Sequence, residues 1–156
     1  MRIDTRHHYR AEPEAVHTML TDPAFWQSLQ DPHVTSCEAS PTADGVQVLL
    51  QVAAPAEAVR VTGPVIHATL QAGWERTKNG WAGPIGLTVK GLPASFKGTC
   101  TIEPAGAGTS VEYAGALVVR LPLVGAGIEA MAAPYLMSVI DAQQEAGDQW
   151  LTTHKG

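Results

Sequence analysis

The sequence predicts an α+β domain in which a curved antiparallel sheet wraps round one long C-terminal helix. Three observations predict it. Short alternating segments joined by tight-turn residues fill the stretch from about residue 33 to residue 120. A long amphipathic segment follows residue 125, and two proline-led helical starts stand between the first alternating segment and the rest. A long antiparallel sheet with one apolar face must bury that face, and only the last segment is long enough to run across it.

The elements follow in order. Ile3, Thr5, His7 and Tyr9 share one face opposite Asp4, Arg6, His8 and Arg10, the period of two of a half-buried strand. Glu12-Pro13-Glu14 supplies proline and acids for a first helical turn, with Val16, Met19 and Leu20 at helical spacing. Asp22-Pro23 repeats that signal before Ala24-Phe25-Trp26, so two short helices are expected. Val34 to Ala39 reads as a strand, and Asp44-Gly45 as a turn into Val46, Val48, Leu50 and Val52, which alternate with Gln47, Leu49 and Gln51. Pro55 to Pro64 is a connection in which Val59 and Val61 hint at a short extended piece.

The strand signals then become regular. Ala68, Leu70, Ala72 and Trp74 share a face, and Asn79-Gly80 marks a hairpin. Ile85, Leu87 and Val89 follow, then Phe96, Gly98, Cys100 and Ile102. Beyond the Gly106-Ala107-Gly108 loop, Val111, Tyr113, Leu117 and Val119 complete an antiparallel meander. At about 100° per residue, Ile128, Met131, Tyr135, Val139, Ala142, Ala146 and Trp150 form one apolar helical stripe. Pro134 is expected to bend that helix, and Trp150 to tie its last turn to the sheet. Met137 falls on the back, where exposure would offer a partner surface.

Composition bounds the function. The 156 residues show no linker, low-complexity stretch or repeat, so residues 1–156 are expected to form a single domain. A net charge of −5, with lysine and arginine scattered singly, argues against a nucleic-acid partner. No apolar stretch approaches a membrane span, so integral membrane association is not expected. The start, MRIDTRHHYR, has no apolar signal-peptide core. The cytoplasm is therefore the expected compartment, with Cys37 and Cys100 as free thiols.

Candidate chemistry is sparse. His7 and His8 are adjacent in a strand and point to opposite faces, while His17, His33, His67 and His154 have no ligands at chelating offsets, so no metal site is expected. Gly125-Ala126-Gly127 sits between strand and helix but lacks a third glycine at Ala130 and a parallel βαβ context. The glycines are read instead as allowing a sharp entry into the helix. No Ser-His-Asp order or inward carboxylate pair appears, so no catalytic residue is assigned. Small inward residues (Ala68, Ala72, Gly98, Gly115, Ala142 and Ala146) should leave a gap between sheet and helix. The sheet is expected to line it with His7, Tyr9, Val48, Leu50, Leu70, Trp74, Leu87, Phe96, Cys100, Tyr113 and Leu117. The helix should add Ile128, Met131, Tyr135, Val139 and Ala142. Such a lining suits an apolar or amphipathic small molecule, with no cofactor.

Several segments resemble one known group. Ala11-Glu12-Pro13-Glu14-Ala15-Val16 at the first helix, Leu20-Thr21-Asp22-Pro23 before the second, Gly98-Thr99 in a late strand and Leu121 to Glu129 entering the last helix are similar to the START-like superfamily. Leu121 to Glu129 is similar to one uncharacterised, mainly actinobacterial branch. The superfamily includes polyketide cyclases and lipid-transfer domains and is known for the helix-grip fold. The resemblance implies that fold and a lipid-, sterol- or polyketide-like ligand. It leaves two alternatives: a cyclase- or dehydratase-type enzyme using the same cavity, and a member with a filled cavity that acts through its surface.

Overall fold

A computed structural model describes residues 1–29, 31–56 and 58–154. β1 (Arg2–Tyr9) buries Ile3, His7 and Tyr9 and exposes Arg2, Asp4, Arg6 and His8. α1 (Pro13–Leu20) starts on its proline and buries Val16, Met19 and Leu20. α2 (Pro23–Gln27) starts where the Asp22 carboxylate accepts the Ala24 N–H at 2.9 Å, satisfying one free donor of the first turn. The Trp26 indole donates to the Leu20 carbonyl at 2.8 Å and so fastens the two short helices together.

β2 (Val34–Pro41), β3 (Gly45–Ala53), β4 (Val65–Gly73), β5 (Glu75–Arg76), β6 (Trp81–Val89), β7 (Ala94–Ala105) and β8 (Gly108–Val119) complete the curved sheet. Its strand order is β1-β8-β7-β6-β4-β3-β2, with β5 paired to β6 and every pairing antiparallel. β1 and β2 therefore form opposite edges, and the α1–α2 segment carries the chain from one to the other. Gly106 takes a φ of 59° in the β7–β8 turn, a conformation that a residue without Cβ adopts at little cost.

Between β3 and β4 the expected extended piece at Val59 and Val61 is instead a short helix, α3 (Val59–Thr62). Ala54 N–H reaches the Pro64 carbonyl at 3.0 Å, so the segment closes a loop between neighbouring strands. A helical turn takes up that slack, whereas an extended run would overshoot. The two valines stay exposed.

α4 (Gly125–Thr153) runs unbroken through Pro134. Gly125 permits its sharp entry: a Cβ there would lie 2.4 Å from the Val119 carbonyl oxygen, while one on Gly127 would meet nothing. Glu129 reinforces the corner by accepting the Val119 N–H at 3.3 Å. Met137 is half-buried against the core and not a free surface. Trp150 packs edge-on against Phe25 of α2, with ring centroids 5.7 Å apart, while Gln144 bonds the His8 backbone of β1 a turn and a half earlier.

Candidate functional site

α4 lies closest to β8, β1, α1 and α2 and stands off from β3, β4 and β6. In the gap is a cavity of about 220 Å³. Its floor comes from alternate residues of neighbouring strands: Leu50 and Val52 of β3, Ile66, Ala68 and Leu70 of β4, Ile85, Leu87 and Val89 of β6. Phe96 of β7 and Tyr113, Leu117 and Val119 of β8 continue it. The roof is the first half of α4, from Ile128 to Gln143, and Trp26 and Leu29 close one side. Pro55, Ala58 and Thr62 around α3, with Leu92 of the β6–β7 turn, rim one end. Tyr135 in the roof is held by an edge-on contact with His33 at 4.9 Å, and Ser138 donates to Asp31 at 2.9 Å on the same flank.

The expected lining divides into three sets. Leu50, Leu70, Leu87, Phe96, Tyr113, Leu117, Ile128, Met131, Tyr135 and Val139 stand in the cavity wall. His7, Tyr9, Val48, Trp74 and Cys100 face the same side of the sheet but lie buried outside the wall. Ala142 also stands elsewhere, in a more polar groove with Ser28, Glu145, Gln149 and Trp150. Beyond Val139 the buried face of α4 passes through Gln143 and Gly147, which a stripe of apolar letters does not reveal.

The small residues fare differently from expectation. A Cβ on Gly115 would lie 2.8 Å from the Phe96 ring, and one on Gly147, which is not among the expected six, would lie 2.5 Å from the Tyr9 ring. Aromatic rings already occupy those spaces. A Cβ on Gly98 would strike the Ala114 carbonyl oxygen at 2.2 Å, so backbone fills that one. Ala68 alone of the six small residues borders the cavity.

Where the cavity meets the filled half lies a buried polar cluster that includes His7, Tyr9, Trp74, Cys100, Tyr113 and Gln143. The Tyr9 hydroxyl is 3.4 Å from both His7 Nδ1 and the Gln143 carbonyl oxygen. The His7 and Tyr113 rings meet edge-on at 5.5 Å. Among the described residues, His7 Nε2, Trp74 Nε1, the Tyr113 hydroxyl and Gln143 Nε2 have no partner in hydrogen-bond geometry, although the Cys100 thiol stands close to Trp74 and Tyr113, and Gln143 close to Tyr113. Burial lowers the pKa of His7, with Asp141 and Asp148 partly opposing it, and keeps the ring neutral at neutral pH. Burial also pushes the Cys100 thiol up to about 12 and the Tyr113 phenol well above its ordinary value. These groups are therefore neutral donors and acceptors, not charges. Among the described residues, no cluster of three or more His, Cys, Asp or Glu side chains has the geometry to hold a metal ion.

Residues 4–151 match the family described as "Protein of unknown function (DUF2505)". The chain belongs to the DUF2505 family. The sequence has no significant match among curated proteins. Solved structures place this DUF2505 chain in the START-like, helix-grip fold. A START superfamily protein from Mycobacterium smegmatis is similar with a TM-score of 0.62 at 16% identity, covering 95% of this chain and 97% of that one. A protein from Thermus thermophilus gives 0.64 at 16% identity, over 94% and 97% of the two chains. Ara h 8.0201 gives 0.66 at 8% identity, over 99% of each. At these identities the likeness concerns the backbone, and the cavity's contents follow from this chain's own side chains.

Proposed function

We propose that residues 1–156 act as a single domain that binds an apolar or amphipathic small molecule, lipid-, sterol- or polyketide-like, between the sheet and the first half of α4. The cavity carries this reading: about 220 Å³ enclosed almost wholly by hydrocarbon side chains. Ligand pockets commonly span about 300–1,000 Å³, so this one suits a compact molecule or one end of a longer one. A dry engineered cavity of about 150 Å³ takes benzene, so this larger one has room for a compact aromatic compound or one end of a bigger one. An enzyme of the cyclase or dehydratase kind would want an acid–base pair facing the ligand. Among the described residues no histidine or carboxylate stands in the wall, which favours binding over chemistry. No described helix is long and apolar enough to cross a membrane. The same reading puts the protein in the cytoplasm, where its two separate thiols, Cys37 and Cys100, remain reduced.

The test is titration with the apolar fluorophore N-phenylnaphthylamine. Saturable enhancement is expected, with its loss in Ala68→Leu, which puts bulk into the floor, and in Leu87→Phe as a second route to the same space. Both variants should unfold within about 1–2 kcal/mol of the parent, because an empty space absorbs what a packed core rejects. A parent that never binds the dye, or variants that bind it unchanged, would sink the reading.

A further inference from the structure

Two polar side chains in the cavity wall are already satisfied: the Trp26 indole donates to the Leu20 carbonyl at 2.8 Å and the Thr62 hydroxyl to the Ala58 carbonyl at 3.1 Å. Tyr113 and Gln143 are not. Both line the cavity, they are 3% and 4% exposed, and the phenol oxygen of one and the amide nitrogen of the other are buried without a partner. Gln143 and the Cys100 thiol both stand near enough to act on the phenol's ionisation, yet among the described residues neither meets it with the distance and angles of a hydrogen bond. Buried polar groups in native proteins are almost always paired, and each orphan costs free energy until something satisfies it. Tyr113 comes from β8 and Gln143 from α4, so the two converge from opposite sides of the gap.

We infer that Tyr113 and Gln143 receive a neutral oxygen, such as a carbonyl or hydroxyl, at the leading tip of the apolar ligand. This rests on the binding reading above and deepens it. A carbonyl oxygen has two lone pairs and accepts from the phenol and the amide together. Apart from the two satisfied groups and the Tyr135 phenol, the remaining wall is hydrocarbon, which matches a molecule apolar along its length and polar at one end. A carboxylate tip is disfavoured: the wall holds no cation among the described residues, and Asp141 and Asp148 are the charges that act on neighbouring His7. A charge buried without a partner costs far more than a buried dipole.

The experiment displaces N-phenylnaphthylamine with three compounds of matched shape: methyl naphthyl ketone, isopropenylnaphthalene, in which a methylene replaces the carbonyl oxygen, and naphthoate. On the parent the ketone should bind about tenfold tighter than the hydrocarbon, the factor expected from satisfying one otherwise lost hydrogen bond. Naphthoate should bind weakest. Tyr113→Phe and Gln143→Met should each bring the ketone-to-hydrocarbon affinity ratio down towards one. Neither should lower thermal stability, because each removes an unsatisfied group from the free protein. Equal binding of ketone and hydrocarbon by the parent would overturn the inference and leave the binding reading standing. Failure of the dye and of every competitor to bind would remove the binding reading and this inference with it.

Discussion

The two halves of the sheet–helix interface use the same face of the same strands, yet one is filled and the other hollow. β3 shows the contrast along a single strand. Val46 and Val48 are 0% and 1% exposed, whereas Leu50 and Val52 stand in the cavity wall. The alternation is identical throughout, so the strand does not make the difference. The covering elements do. α1 and α2 pack against α4 and against the sheet, bringing Val16, Met19, Leu20 and Phe25 into the core with almost no exposure. Farther along, among the described residues, α4 is helped by α3, Leu92 and the Trp26–Leu29 flank to cover the strand ends. An amphipathic face is a demand for cover, and how much of it is met depends on what the rest of the chain brings.

Emptying the filled half breaks the contrast most directly. Phe25 is fully buried and meets the rings of Trp26 and Trp150 edge-on at 5.8 and 5.7 Å. Phe25→Ala should cost about 3–5 kcal/mol in chemical denaturation. Leu87→Ala, on a wall that already faces empty space, should fall at or below the low end of the range of about 2–5 kcal/mol for buried Leu→Ala changes. Equal losses would mean that the hollow half is packed after all.

Acid sharpens the same comparison. His7, between the two halves, has its pKa lowered by desolvation, and His17, stacked on Trp81 at 4.3 Å, is lowered by desolvation and then by Arg76. For a base whose folded pKa is depressed, the unfolded chain takes the proton first. Stability is then complete above the unfolded pKa of about 6.5 and is lost as pH falls from there towards the folded value. The melting temperature should therefore fall between about pH 7.5 and pH 5.5, and His7→Phe should fall less, with His17 supplying the remainder. A parent whose melting temperature is flat over that interval would contradict a neutral, buried His7.

The smallest expected effect concerns Ala142. Its place in the helical stripe suggests that bulk there would block the cavity, but it stands in the separate groove beside Ser28 and Gln149. Ala142→Leu should leave N-phenylnaphthylamine affinity unchanged under conditions where Ala68→Leu abolishes it. A loss of binding in Ala142→Leu would mean that α4 is rotated from the position described.

The sequence by itself determined most of the fold, because its signals are local. Strand alternation, Asp22-Pro23, Asp44-Gly45, Asn79-Gly80 and the apolar stripe each act within a few residues, and the elements they predict are present. It failed at Val59 and Val61, where two alternating residues carry too little periodicity to outweigh the need to close a loop. For the site, alternation named the inward face correctly but could not say how far along it the packing stops. His7, Tyr9, Val48, Trp74 and Cys100 share a face with Leu50, Leu70 and Leu87, and only the placement of α1, α2 and α4 separates core from cavity wall. Gln143 and Gly147 escaped for a related reason. A polar letter and a glycine look like solvent-side residues until Tyr113 and Tyr9, from distant strands, are found packed against them. Periodicity is a property of one segment, whereas a cavity is a mismatch between several, and that mismatch exists only once the chain has folded.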